Sequence, residues 1–80
     1  MTEKEIYEIL AEIFQNVLDD DNLELTPELS AADVAEWDSL NHINIVVGSE
    51  VRFGVKFNTG EVEALRNVGD LVNLIANKLR

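Results

Sequence analysis

The stretch Glu36-Trp37-Asp38-Ser39-Leu40, with His42 close behind, gathers the side chains best able to do chemistry. A serine, a histidine and an aspartate suggest a nucleophilic relay. Such a relay needs its base oriented by a buried third group, with an oxyanion hole beside it. Asp38, Ser39 and His42 fall within little more than one turn of chain on the surface of an 80-residue protein, which supplies neither. The stretch better suits an exposed hydroxyl at the start of a helix. Free backbone N–H groups and the helix dipole stabilise an anion there, so a phosphodiester on the Ser39 oxygen would sit where its charge is tolerated. Leu40 is expected to tuck inward and anchor the turn, leaving Ser39 outside. Asp38 is expected either to cap the helix or to act beside the serine. Trp37, the one tryptophan, is expected to pack the loop onto the helices, or else to shield the group on Ser39 or touch a partner. His42 is expected at the surface, near that group or near a partner.

A second cluster, Asp19-Asp20-Asp21-Asn22, looks like the opening of a calcium loop. The EF-hand pattern requires glycine at its sixth position and glutamate at its twelfth. Counting from Asp19, those positions hold Glu24 and Ser30, so the run reads as a solvated helix end.

Six basic and sixteen acidic residues give a net charge of −10. Such a chain repels nucleic acid and anionic membranes and favours basic protein surfaces. Residues 1–38 hold twelve acids and Lys4 alone as a base, net −11; residues 39–80 hold four acids and five bases, net +1. With no cysteine, disulfides and thiolate metal sites are excluded. There is no secretory signal pattern, and the longest apolar run, Ile45-Val46-Val47, is far short of a membrane span. A cytoplasmic monomer, one domain over residues 1–80, is the expectation. A chain this short more readily binds, carries or regulates than houses a catalytic cleft.

The elements that must position Ser39 are unevenly legible. Ile6, Ile9, Leu10, Ile13, Phe14 and Val17 form one apolar stripe and predict a first helix, with Thr2 and Glu5 spaced as a capping box. A long connection follows, broken by Pro27. Leu23, Leu25 and Leu29 mark it as pinned to a core, and long loops in compact domains are often functional. Leu40, Ile43, Val46 and Val47 fit a helical face, yet the β-branched run and Gly48-Ser49 weaken a helix, the glycine by about 1 kcal/mol. Val51, Phe53, Val55 and Phe57 alternate as a strand would. By propensity, Leu40 to Phe53 is ambiguous and a small α+β fold stays open. Asn58-Thr59-Gly60 reads as a turn and Glu61 to Arg66 as a short helix. Val68, Leu71, Val72, Ile75 and Leu79 predict a closing helix, capped by Asn67 with Asp70 in support, and Lys78 and Arg80 complement its dipole.

Asp38-Ser39-Leu40, mid-chain in a short acidic sequence between two amphipathic helices, resembles the attachment motif of the acyl carrier protein family, the phosphopantetheine-binding carriers. The resemblance extends along essentially the whole chain, with Phe53 at the family's aromatic end of helix two and Leu65 and Val68 at its apolar pair between the third and fourth helices. It implies an all-α fold, a four-helix bundle with a long loop after helix one and a short third helix, and it makes Leu40 to Phe53 helical. It implies that a phosphopantetheinyl transferase moves a 4′-phosphopantetheine arm from coenzyme A onto Ser39, between Asp38 and Leu40. The thiol of that arm would then present acyl groups to acyl-loading and acyl-processing enzymes, and the chain itself would catalyse nothing. Asp38 would lie near the divalent metal held by the transferase and coenzyme A. Glu36, Trp37, His42, Asn44 and Glu50 become candidate partner contacts. Asn44 stands where fatty-acid carriers have an acid, and Val51 and Arg52 where acids are common. The acidic docking face is therefore diluted, which suggests partners other than the housekeeping fatty-acid enzymes and a dedicated pathway, such as a polyketide, lipid-modification or other secondary-metabolite route. Val46, Val47 and Gly48 are expected to pack the core, or else to line a groove for an acyl chain. The alternative is an unmodified acidic adaptor that binds a basic protein.

Overall fold

The computed structural model describes residues 1–80 and contains four helices: α1 (Glu3–Leu18), α2 (Ser39–Phe53), α3 (Thr59–Glu63) and α4 (Val68–Lys78). The α+β alternative is thereby set aside: Val51 and Phe53 belong to α2.

Helix α1 starts with a complete capping box, in which the Thr2 hydroxyl accepts from Glu5 N–H and the Glu5 carboxylate accepts from Thr2 N–H. It ends at Asp19, in left-handed conformation with φ 52°. Its buried side chains are Ile6, Leu10, Ile13, Phe14 and Leu18, while Ile9 and Val17 pack at the margin. From α4 come Val68, Leu71, Val72 and Ile75; Leu79, placed in that stripe by its spacing, is the C-cap and is partly exposed.

Helix α2 turns a different face inward from the one its apolar pattern favours. Ile45, Val46, Ser49 and Phe53 are buried, whereas Leu40, Ile43 and Val47 face solvent. The buried face carries the small residues that let α1 approach. A Cβ on Gly48 would stand 3.2 Å from Ile13 Cγ2, so the glycine that costs helix propensity allows close contact. Ser49, fully buried, donates its hydroxyl to Ile45 O at 2.7 Å and leaves no polar atom unmet. Tertiary packing thus overrides the local strand propensity. Gly54, at φ 67°, then closes the helix in the left-handed conformation that glycine adopts without strain.

The long loop is bound to the bundle. Leu23, Leu25, Leu29 and Val34 pack against the core. Two N–H groups in the first turn of α4, which have no partner within their own helix, donate to loop carbonyls: Val68 to Leu29 and Gly69 to Pro27, both at 2.9 Å. Gly69 is needed for this, since a Cβ there would lie 3.0 Å from Pro27 O. Asn58-Thr59-Gly60, which reads as a turn, instead opens α3. Asn58 is its N-cap, and Glu61 completes a capping box. Lys78 reaches Glu61 at 3.0 Å and ties the end of α4 to α3.

Candidate functional site

The loop delivers the chain to α2 through Trp37, which is 7% exposed. Its ring meets Phe14 of α1 edge-on, with centroids 5.0 Å apart and planes at 88°. The indole N–H donates to Nδ1 of His42 at 3.1 Å, fastening the last loop residues to the first turn of α2. The burial of Trp37 and its ring contact serve packing of the loop onto the helices. A partner contact through Trp37 does not fit its burial. His42, expected at the surface near the group on Ser39 or near a partner, is half-buried and bonded on one side to Trp37.

Asp38 is the N-cap of α2: its Oδ1 accepts from Asn41 N–H at 2.8 Å. The Asn41 side chain returns to Glu36 O at 2.8 Å, holding the approach to the helix in place. Because Asp38 performs the capping, Ser39 has no capping task. It is the first residue of α2 and is exposed. Leu40, expected to tuck inward, points outward and is 68% exposed. The turn is instead anchored by Trp37 before the serine and Ile45 after it, both buried.

Beside Ser39 lies an open groove of about 580 Å³, lined by Trp37, Asp38, Ser39, His42, Ile43 and Leu65, with Ala31 and Arg66 at its sides. Ile43 and Leu65 supply its apolar wall. Val46, Val47 and Gly48 do not line it; Val46 is buried and Gly48 faces α1. Arg66 is held by Asp70, whose Oδ2 accepts from both the Arg66 backbone N–H and its Nε, each at 3.0 Å. These two donations hold the Asp70 carboxyl below the ordinary carboxylate range, and the facing carboxylate pushes the Arg66 guanidinium up. Sequence reasoning missed Arg66 as a site residue. It lies 27 positions after Ser39, and the one available signal is that no other base falls between Lys56 and Lys78.

The candidate partner contacts divide. Glu36 and Asn44 are exposed. Glu50 is partly buried, and its carboxylate accepts from Phe57 N–H at 2.8 Å, so it bridges α2 to the following loop instead of standing open. Arg52 pairs with Glu12 of α1 at 2.9 Å. What remains outward along α2 is an apolar stripe: Leu40, Ile43, Val47 and Val51.

Comparison with known proteins places this arrangement. No family model matches. An acyl carrier protein of Acidothermus cellulolyticus is 39% identical over 77 residues, covering 96% of this chain and 92% of its own. A meromycolate extension acyl carrier protein of Mycolicibacterium smegmatis is 40% identical over 74 residues, covering 92% of this chain and 75% of its own. Among solved structures, the NMR structure of a holo acyl carrier protein from Geobacter metallireducens matches with a TM-score of 0.86 and 48% identity, over 91% of this chain and 84% of that one. The chain belongs to the acyl carrier protein family, and its function is that of an acyl carrier.

Proposed function

We propose that Ser39 receives a 4′-phosphopantetheine arm and that the whole chain is one carrier domain. The observation that carries this reading is the division of labour at the start of α2. Asp38 caps the helix, leaving the neighbouring serine hydroxyl exposed beside a groove. The holo state of the Geobacter metallireducens relative supports an arm of this kind. In the transfer, a phosphopantetheinyl transferase would bring the Ser39 oxygen onto the phosphorus of coenzyme A that bears the pantetheine. An Oγ–P bond forms, the P–O bond of the diphosphate breaks, adenosine 3′,5′-bisphosphate leaves, and the serine proton passes to a base on the transferase. The thiol of the arm then carries acyl groups as thioesters, and tethering raises their effective concentration at each partner's active site.

The partners are acyl-loading and acyl-processing enzymes of a dedicated pathway. The exposed stripe Leu40, Ile43, Val47 and Val51, flanked by Glu36 and Asn44, supports docking led by apolar contact. The one base of α2, Arg52, is paired with Glu12 of α1, and the first turn of α2 carries no acid. A pathway assay in which a carrier with an acidic α2 replaces this chain tests the point: loss of activity is expected, and full interchangeability overturns it.

The attachment site itself is tested by intact mass after incubation with coenzyme A, magnesium and a broad-specificity transferase. A gain of one phosphopantetheinyl group, absent in Ser39→Ala, is the expected result. A folded, initially unmodified protein that gains nothing, even with its own organism's transferase, overturns the assignment.

A further inference from the structure

Arg66 is one of only six bases in a chain with sixteen acids, and it lines the groove that Ser39 opens onto. Asp70 holds it by the backbone N–H and Nε, which leaves the terminal guanidinium nitrogens directed to no protein acceptor. His42 lines the same groove. Its Nδ1 accepts the Trp37 indole hydrogen, so the neutral imidazole must carry its own hydrogen on Nε2. Trp37 therefore fixes the tautomer in which the second ring nitrogen is a donor. The groove thus combines a guanidinium, paired through Nε with the Asp70 carboxylate, and an oriented imidazole N–H with the Asp38 carboxylate, already engaged by Asn41.

A phosphodiester on Ser39 would add a negative charge next to Asp38 in a chain already at −10. Without a counter-charge, the added charge would weaken the fold through self-repulsion. We infer that the groove beside Ser39 is an anion seat in which Arg66, held by Asp70, and His42, oriented by Trp37, receive the phosphodiester of the Ser39-linked arm and set the direction in which the arm leaves the protein. This rests on the attachment of the arm to Ser39. Arg66 is a positioning residue here, with no part in forming or breaking the bond. Guanidinium suits the task, because its fork of donors matches two oxygens of one phosphate group.

The test compares the melting temperature of the unmodified and arm-bearing forms at low ionic strength, the modification first being verified by mass. In the wild type, attachment is expected to raise the melting temperature by about 1–4 °C despite the added negative charge. The gain should shrink in 0.5 M salt. In Arg66→Gln it should vanish or reverse, while Arg66→Lys should keep part of it and Arg52→Gln all of it. Comparing the two forms of each variant cancels the cost of losing the Asp70 pair. The phosphorus NMR line of the arm-bearing protein should also move in Arg66→Gln and stay in place in Arg52→Gln. An arm present on Ser39 with the same gain and phosphorus line in Arg66→Gln as in wild type overturns the seat alone. Failure of the arm to attach at Ser39 overturns both readings.

Discussion

Two isoleucines two positions apart on α2 should behave as opposites. Ile45 is fully buried against the core formed with α1 and α4, whereas Ile43 is 56% exposed beside the Ser39 groove. Truncating a buried isoleucine to alanine removes its transfer free energy and leaves a cavity, about 2–5 kcal/mol. A domain of 80 residues has only about 4–12 kcal/mol of stability in all. Ile45→Ala could therefore leave the chain barely folded, and Ile45→Val, at about 0.5–1.5 kcal/mol, is the sharper probe. Ile43→Ala loses little burial and gains helix propensity, so its net effect should lie within about 0.5 kcal/mol of zero. In urea unfolding followed by Trp37 fluorescence and helical circular dichroism, a slope of about 1 kcal/mol per molar converts these values directly. Ile45→Val should lower the midpoint by about 0.5–1.5 M, and Ile43→Ala should move it by less than about 0.5 M. Ile43→Ala should instead weaken functional coupling to partner enzymes. A larger stability loss for Ile43→Ala than for Ile45→Val would refute the assignment of the two faces of α2.

The two helical glycines near close contacts should also diverge. Gly69→Ala must push the Pro27 carbonyl away from the first turn of α4, an overpacking cost of about 1–3 kcal/mol that outweighs the propensity gain of about 1 kcal/mol. Gly48→Ala meets only the Ile13 methyl and should come out near neutral in the same urea assay. Trp37→Phe removes the donor to His42 and part of the ring packed on Phe14, and should lower stability by about 1–3 kcal/mol by circular dichroism; no loss would detach the loop latch from the fold's stability. Glu5, held below the usual carboxylate range by the Thr2 N–H, and Glu61, held below it by the Asn58 N–H and Lys78, both favour the folded state when ionised. Their folded values lie below their unfolded ones, so the stability they add is present above about pH 4.5 and drains away as pH falls through the folded values. Glu61→Gln should accordingly flatten the acid limb of a melting-temperature profile between pH 5 and 2, and an unchanged limb would count against the capping account.

Where the sequence was readable, one element contained its own signal. The stripes of α1 and α4, the caps at Thr2, Asp38 and Asn67, and the leucines pinning the long loop are all local patterns, and each recurs in the structure. The exposed serine needed little more, because an N-cap aspartate followed by serine already divides the tasks between two neighbours. The groove was not readable, because it is assembled from the loop, the first turn of α2 and the link after α3. Leu65 and Arg66 share the groove with Ser39 although they lie just before α4, whose first N–H groups are docked on Pro27 and Leu29. The start of α3 was misread for a similar reason: Asn58-Thr59-Gly60 has turn composition, and it becomes a helix start through the reciprocal Asn58–Glu61 bonds and the Lys78 tether.

Helix α2 carries two overlapping apolar stripes, and helical periodicity alone cannot rank them. The set 40, 43, 47 and 51 is wholly apolar, while the set 45, 46, 49 and 53 contains a serine; hydrophobicity therefore favours the first, and the fold buries the second. The reason lies in α1. Ile13 packs close to Gly48, and the neighbouring Ser49 can be buried because its hydroxyl is satisfied inside its own helix. The polar-looking face is the core face because it is the one that fits. The more apolar face is left in water next to Ser39, where its exposure adds nothing to folding. An isolated exposed leucine is ordinary, but four large apolar residues aligned over three turns of one helix form a patch that calls for a partner. In a chain of net charge −10, those residues are the part of the surface that opposes charge-driven docking. The enzymes that handle this carrier should therefore be told apart by shape and apolar contact along α2, with the acids of α1 and the loop acting at longer range on encounter.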